Sequence, residues 1–169
     1  MIIEHNGIEF FKTNNSDAGV KDKILDDIAK DFVPDFDSPS YGFTVEDFQS
    51  YYDEVIGQFL TEYNIEGNIT KRQIHYTRYK KGIAQDIIAG TDKMFEGTGF
   101  QLIHFVQLDE EHPAHAWRFA DPVIEDLSIN LVEGDIVIYP NQEIKCYSNV
   151  NNLDKEKIVV YYNFNITRL

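Results

Sequence analysis

The chain has a single cysteine, Cys146, so no disulfide can form within it. Its stability has to come from a packed core, and this cysteine usage fits a reducing compartment. No apolar run approaches the ~18 residues that a membrane-spanning helix needs, which excludes such a helix. Met1-Ile2-Ile3 runs at once into Glu4 and His5, so the start does not read as a signal peptide. Basic residues are scarce: 15 Lys and Arg face 29 Asp and Glu, a formal net charge of −14. That balance argues against a sequence-independent nucleic-acid binder, which needs cations to displace counterions; Lys71-Arg72 and Arg78-Tyr79-Lys80-Lys81 are only local basic stretches. The acidic excess otherwise serves solubility or a basic partner. No G-x-x-x-x-G-K phosphate loop and no serine nucleophile elbow is present, and Gly97-Thr98-Gly99 is too short to count. The expectation is a soluble protein of the cell interior, free or assembled into a particle.

At 169 residues the chain is long enough for one domain with a real core. Ten Tyr and twelve Phe favour a β-rich one. The start, residues 2–11, carries Asn6-Gly7 between apolar runs, a hairpin signal because both residues tolerate positive φ. Val20, Ile24, Ile28 and Phe32 then recur every four residues, which predicts a helix capped by Asn15 or Ser16 and ended by Pro34. After a loop over 34–42, Thr44 with Asp47 three residues on predicts the start of a second helix. Its stripe of Phe48, Tyr52, Val55, Phe59 and Tyr63 reads as core packing, not as a cofactor box.

From Glu66 onward the hydrophobic period changes to two. Strands are expected over 73–79, 100–108, 117–119, 127–130, 135–139 and 157–166. Short strands separated by Gly, Asn and Pro turns suggest an antiparallel barrel or jelly roll, with the two helices on one outer face. The expected organisation is a hairpin and two helices over 1–65 and a barrel over 66–169. The polar stretch 149–154 is expected to be a surface loop.

Four segments in order carry a resemblance. They are Arg78-Tyr79-Lys80-Lys81-Gly82, Phe119-Ala120-Asp121-Pro122, Gly134-Asp135-Ile136-Val137-Ile138-Tyr139-Pro140, and the run from Lys157 to Phe164. Together, over roughly 73–166, they resemble the iron(II)/2-oxoglutarate dioxygenases, the second segment being similar to a subfamily common among bacteriophages. The resemblance implies a mainly β (α+β) fold: a double-stranded β-helix, or jelly-roll barrel, with the two N-terminal helices packed outside. It implies Lys157, where the family has an Arg for the distal carboxylate of 2-oxoglutarate, and Arg78 as cosubstrate-binding residues. It also implies a virus-related role, so the expected location is the cytoplasm or a virion.

The family's chemistry needs two His and a carboxylate on one iron, the first His and the carboxylate usually standing at His-x-Asp. None of the five His (His5, His75, His104, His112, His115) is followed two places later by Asp, Glu or His. Where the motif should fall the chain reads Ile83-Ala84-Gln85-Asp86-Ile87-Ile88, with only Asp86 able to ligate. The distal His position falls on Lys145, whose ammonium has no lone pair. Cys146 is one residue off and so on the other face of a strand. Lys157 can pair a carboxylate as a point charge; its plainer reading is a solvated residue after Asp154-Lys155-Glu156.

His104 shares a strand face with Phe100, Leu102, Val106 and Leu108. It is either a pocket residue, with Lys145, or a core histidine satisfied by one hydrogen bond. The cluster Asp109-Glu110-Glu111-His112-Pro113-Ala114-His115 could bind a metal at the surface, but its histidines stand three apart around a Pro, and a solvated turn is the plainer reading.

Two functions follow. One is a diverged relative with neither metal nor catalysis, acting through protein partners or self-assembly, with a phage particle as one setting. The other is an active hydroxylase using Fe(II) and 2-oxoglutarate, with His75, Asp86 and His104 as donors and Lys157 on the cosubstrate. The first is favoured, because losing both His positions removes the step that activates oxygen.

Overall fold

The computed structural model describes residues 1–5, 8–15, 18–30, 40–41, 48–82, 99–112, 115–119, 127–128, 130–141, 144–148 and 150–168. Among the described residues, ten strands and two helices follow one another as β1 (Ile2–His5), β2 (Ile8–Asn14), α1 (Ala18–Lys30), β3 (Ser40–Tyr41), α2 (Gln49–Glu62), β4 (Gly67–Tyr79), β5 (Phe100–Gln107), β6 (His115–Phe119), β7 (Leu127–Ser128), β8 (Asp135–Pro140), β9 (Ile144–Ser148) and β10 (Lys157–Arg168). A seven-stranded sheet runs β1-β2-β8-β5-β10-β4-β3, and a three-stranded sheet runs β7-β6-β9. All the pairings are antiparallel. This is the expected mainly β jelly roll of two sheets. The N-terminal hairpin joins the large sheet through β2 and β8.

Along β10 the residues alternate between two faces, and every neighbouring strand follows. Ile158, Val160, Tyr162 and Phe164 point one way, together with Ile74, Tyr76, Leu102, Val106, Ile136 and Ile138. That face packs against Ile24 and Ile28 of α1 and Tyr52, Val55, Ile56 and Phe59 of α2. The spacing of four read in α1 is therefore its buried stripe. α2 has no side-chain hydrogen bond at its N-cap, Phe48, and no acid in its first turn. Burying each large apolar side chain is worth roughly 1.5–3 kcal/mol, so packing on the sheet, rather than capping, fixes α2. The expected cap residues Thr44 and Asp47 lie outside the described residues.

Lys157, Val159, Tyr161 and Asn163 point the other way, toward the interior between the sheets. The Lys157 side chain meets Ser148 of β9, in the small sheet, which identifies this face as the inner one. Two features fix the frame. Gly134, just before β8, has φ +84°, and a Cβ there would lie 2.6 Å from the Asn15 carbonyl oxygen. Its amide donates to the Phe105 carbonyl at 2.9 Å. Asn151 is fully buried, contrary to the surface loop expected over 149–154. Its amide donates to the carbonyls of Tyr79 (2.8 Å) and Lys155 (3.0 Å). The chain entering β10 is thereby pinned to the end of β4, although Asn152 and Asp154 are exposed.

β4 begins six residues before the strand expected from 73. That extension, through Asn68, Ile69 and Thr70, holds little apolar pattern and is held by its ladder to Asn165, Ile166 and Thr167. Between the pairs Asn163↔Gln73 and Asn165↔Thr70, β4 spends one residue more than β10, a bulge.

Candidate functional site

The inner face of the large sheet is polar at both ends. At one end, Lys157 is completely buried, its ammonium donating to the Ser148 hydroxyl and lying 4.6 Å from the centre of the Tyr79 ring. The reading of Lys157 as a solvated strand-start residue is thus overturned: it is fully buried, against Ser148 of the small sheet and the Tyr79 ring. The Tyr79 and Tyr161 hydroxyls are hydrogen-bonded at 2.7 Å. Thr77, between them on β4 and also fully buried, has a hydroxyl with no hydrogen-bond partner among the described residues. Farther along, His75 stacks on Tyr161, with ring centres 5.0 Å apart and planes 15° from parallel. Burial pushes its imidazole down to about 4.

At the other end a relay crosses three strands. The Tyr139 hydroxyl donates to Gln101 Oε1, and Gln101 Nε2 donates to Asn163 Oδ1 at 2.9 Å. All three residues are buried. Asn163 Nδ2 has no hydrogen-bond partner among the described residues.

The other sequence candidates lie elsewhere. His104 faces the helices, not the interior: its Nδ1 is hydrogen-bonded to the Tyr52 hydroxyl of α2 at 2.9 Å. Burial pushes it down to about 4 as well. Its pairing with Val160, while His75 pairs with Tyr161, sets the two histidines on opposite faces of the sheet. The proposed convergence of His75 and His104 on one metal, and the reading of His104 as a pocket residue, are corrected by this alternation. The core-histidine reading of His104 holds. Arg78 is corrected for the same reason. It alternates away from Tyr79, and its Nε and Nη2 bind Glu156 at 2.8 and 2.7 Å. The neighbouring Lys81 pairs with Asp154 at 2.9 Å. His112 is a structural residue of its turn. Its Nδ1 accepts from the Asp109 amide at 2.6 Å, and its Nε2 meets the Lys155 carbonyl oxygen at 2.8 Å. Asp86 lies outside the described residues. Lys145 falls on β9, opposite Arg118 of β6, with its side chain outside the described set.

The donor chemistry decides how iron fits. Two His and one carboxylate must reach one point. His75, His104 and His112 occupy the interior, the helix interface and a surface turn, and no three His, Cys, Asp or Glu among the described residues stand together to hold a metal ion. The described residues do not fit an iron centre. Lys157 does fit a carboxylate: it is a buried cation beside two hydroxyl-bearing residues.

This architecture is that of the iron(II)/2-oxoglutarate oxygenases. The chain superimposes on a prolyl-4-hydroxylase of Pseudomonas putida with a TM-score of 0.64 at 9% identity, covering 92% of this chain and 91% of that one. The viral collagen prolyl hydroxylase of Paramecium bursaria Chlorella virus-1 gives 0.64 at 12% identity, over 96% and 92%. HygX of Streptomyces hygroscopicus, solved with nickel, 2-oxoglutarate and hygromycin B, gives 0.68 at 8% identity, over 94% and 83%. At these identities the likeness is one of fold. No protein-family model and no curated protein sequence matches the chain.

No sequence signal pointed to the relay. Tyr139 and Asn163 lie 38 and 62 positions beyond Gln101, and only the strand register brings the three together.

Proposed function

We propose that this chain is a binding protein built on the oxygenase fold, which takes a small carboxylate at Lys157 without iron and serves recognition or assembly. The observation that carries this reading is the full burial of Lys157 on the inner face, while the described histidines diverge. A buried ammonium keeps its charge only where polar groups or a counter-charge meet it. Held by Ser148 and leaning on the Tyr79 ring, it presents a localised positive charge to the space between the sheets. A carboxylate placed there would take a charge-assisted hydrogen bond from Lys157, and the Thr77 hydroxyl is at hand on the same face. Protein partners, or further copies of the chain, and a place in the cytoplasm or in a phage particle belong to the same proposal. They are supported by the phage-type Phe119-Ala120-Asp121-Pro122 segment. The hydroxylase reading keeps His75 on the inner face, while His104 faces the helices and His112 is held in its turn.

Calorimetric titration with 2-oxoglutarate in the presence of EDTA tests the site. Saturable binding is expected, weakened about tenfold or more in Lys157→Met, since a hydrogen bond to a charged group is worth ~1.5–3 kcal/mol. Circular dichroism of the variant verifies that it folds. Equal affinity in the variant, or binding that appears only when iron is added, would contradict the proposal.

A further inference from the structure

We propose that a groove at the rim of the large sheet docks a basic segment of a partner protein. Glu110 and Glu111 take its Lys or Arg heads, and Leu108 and Val132 take their aliphatic stems and the apolar residues between them. This deepens the partner-binding part of the proposed function and uses none of the residues around Lys157.

The pairings Ile158↔Gln107 and His104↔Ile136 bring the exit of β5 and the entries of β8 and β10 to one edge of the sheet. Beyond that edge the three segments enclose a groove of about 550 Å³. Its walls are tied to the frame. The Leu108 amide donates to Glu133 Oε2 at 3.2 Å, the Gly134 amide donates to the Phe105 carbonyl, and His112 Nε2 meets the Lys155 carbonyl oxygen. A groove held at these points is formed before a partner arrives, which lowers the ordering cost of binding. Its lining is amphipathic. Leu108 and Leu131 are half-buried, and Val132 is 51% exposed. Around them stand Asp109, Glu110, Glu111 and Glu133, with Lys155 as the one base of the lining. Asp109 pairs with Lys155 at 3.4 Å, and Glu133 pairs with Lys21 of α1. Glu110 and Glu111 are exposed, and their carboxylates make no hydrogen bond or ion pair among the described residues.

Charge selects the occupant. Among the described residues no three His, Cys, Asp or Glu converge to hold a metal ion, so these carboxylates are spread along the groove and suit several cationic heads better than one ion. A second copy of the chain brings a further net charge of −14 and is repelled. A basic segment is attracted. Lys and Arg lay their methylene stems on apolar surface while their heads stay at charged groups, and the Arg fork matches a carboxylate. Basic residues alternating with apolar ones would use both the acids and the Leu108, Leu131 and Val132 surface.

The test is fluorescence anisotropy of a labelled Arg-Leu-Arg-Leu-Arg peptide titrated with the full chain at low and at physiological salt. Saturable binding is expected, weaker as salt rises. The double variant Glu110→Gln, Glu111→Gln should weaken it about fivefold, the sum of two exposed ion pairs. Val132→Ser should weaken it about twofold, and an Arg-Ser-Arg-Ser-Arg peptide should bind about fivefold more weakly than the leucine peptide. Glu54→Gln with Glu66→Gln removes the same charge from α2 and from the start of β4, at the far end of the sheet. Those two residues are also exposed, and their loss should change the affinity by less than about twofold. An equal loss in both double variants, or equal affinity for the two peptides, would show that the peptide follows net charge alone, and the groove is then overturned. Absence of binding by the leucine peptide overturns it too. In each case the Lys157 reading stands or falls separately, on its own titration with 2-oxoglutarate.

Discussion

Lowering the pH from 6.5 to 4 is expected to remove roughly 6 kcal/mol from the folding free energy, about 3 kcal/mol for each of two buried histidines. His75 and His104 are both held near 4 by burial, against 6.5 in the open chain. In that window the unfolded chain binds the protons and the folded chain refuses them. The stability each neutral imidazole contributes is complete above 6.5 and disappears as the pH falls toward 4. With a total folding free energy of ~5–15 kcal/mol for a typical domain, this loss is enough to bring the protein close to unfolding in mild acid. Urea midpoints measured at half-unit steps check it. His104→Asn, which keeps an acceptor for the Tyr52 hydroxyl, is expected to flatten the dependence by about half. A midpoint that stays level between pH 6.5 and 4.5 would mean that these imidazoles are not buried in neutral form.

Replacing Asp135 by Asn is expected to destabilise the fold by about 3 kcal/mol, because breaking a buried ion pair leaves its partner uncompensated. The Asp135 carboxylate is almost inaccessible. One oxygen takes Lys12 Nζ at 2.7 Å and the Val132 amide at 2.8 Å, and the other takes Asn14 Nδ2 at 2.9 Å. It ties β2, at one side of the large sheet, to the turn that enters β8. An amide in its place would turn a donor toward donors. Chemical denaturation of the variant at pH 7 is the measurement; a loss under ~1 kcal/mol would show that the carboxylate is screened like an exposed pair.

Asp135 also shows which parts of the fold could be read from the chain. Gly134-Asp135 followed by apolar residues stood out as a strand entrance, and each has a local determinant: Gly134 its positive φ, Asp135 the Val132 amide of the same turn. The helix stripes were legible for the same reason, since their period is written in consecutive turns. β9 was not. Ile144-Lys145-Cys146-Tyr147-Ser148 has little alternation of its own and pairs only because β6 lies beside it. His104 could be given a face but not a layer. Gln101 to Val106 are all buried, so both sides of β5 are covered, and nothing in the strand says which side holds the helices. Lys157 was placed correctly at the head of the last strand. Its burial was hidden, because the groups it meets, Ser148 and the Tyr79 ring, lie outside that strand.

The most direct test of the account is anaerobic addition of Fe(II) and 2-oxoglutarate to the purified protein, with bound iron measured after gel filtration. Admission of oxygen and assay for succinate then follow. The diverging histidines and the buried Lys157 lead to one expectation: 2-oxoglutarate held, iron passed through at well under one equivalent, no visible charge-transfer band and no succinate. Stoichiometric iron with that band, and succinate on oxygenation, would contradict it.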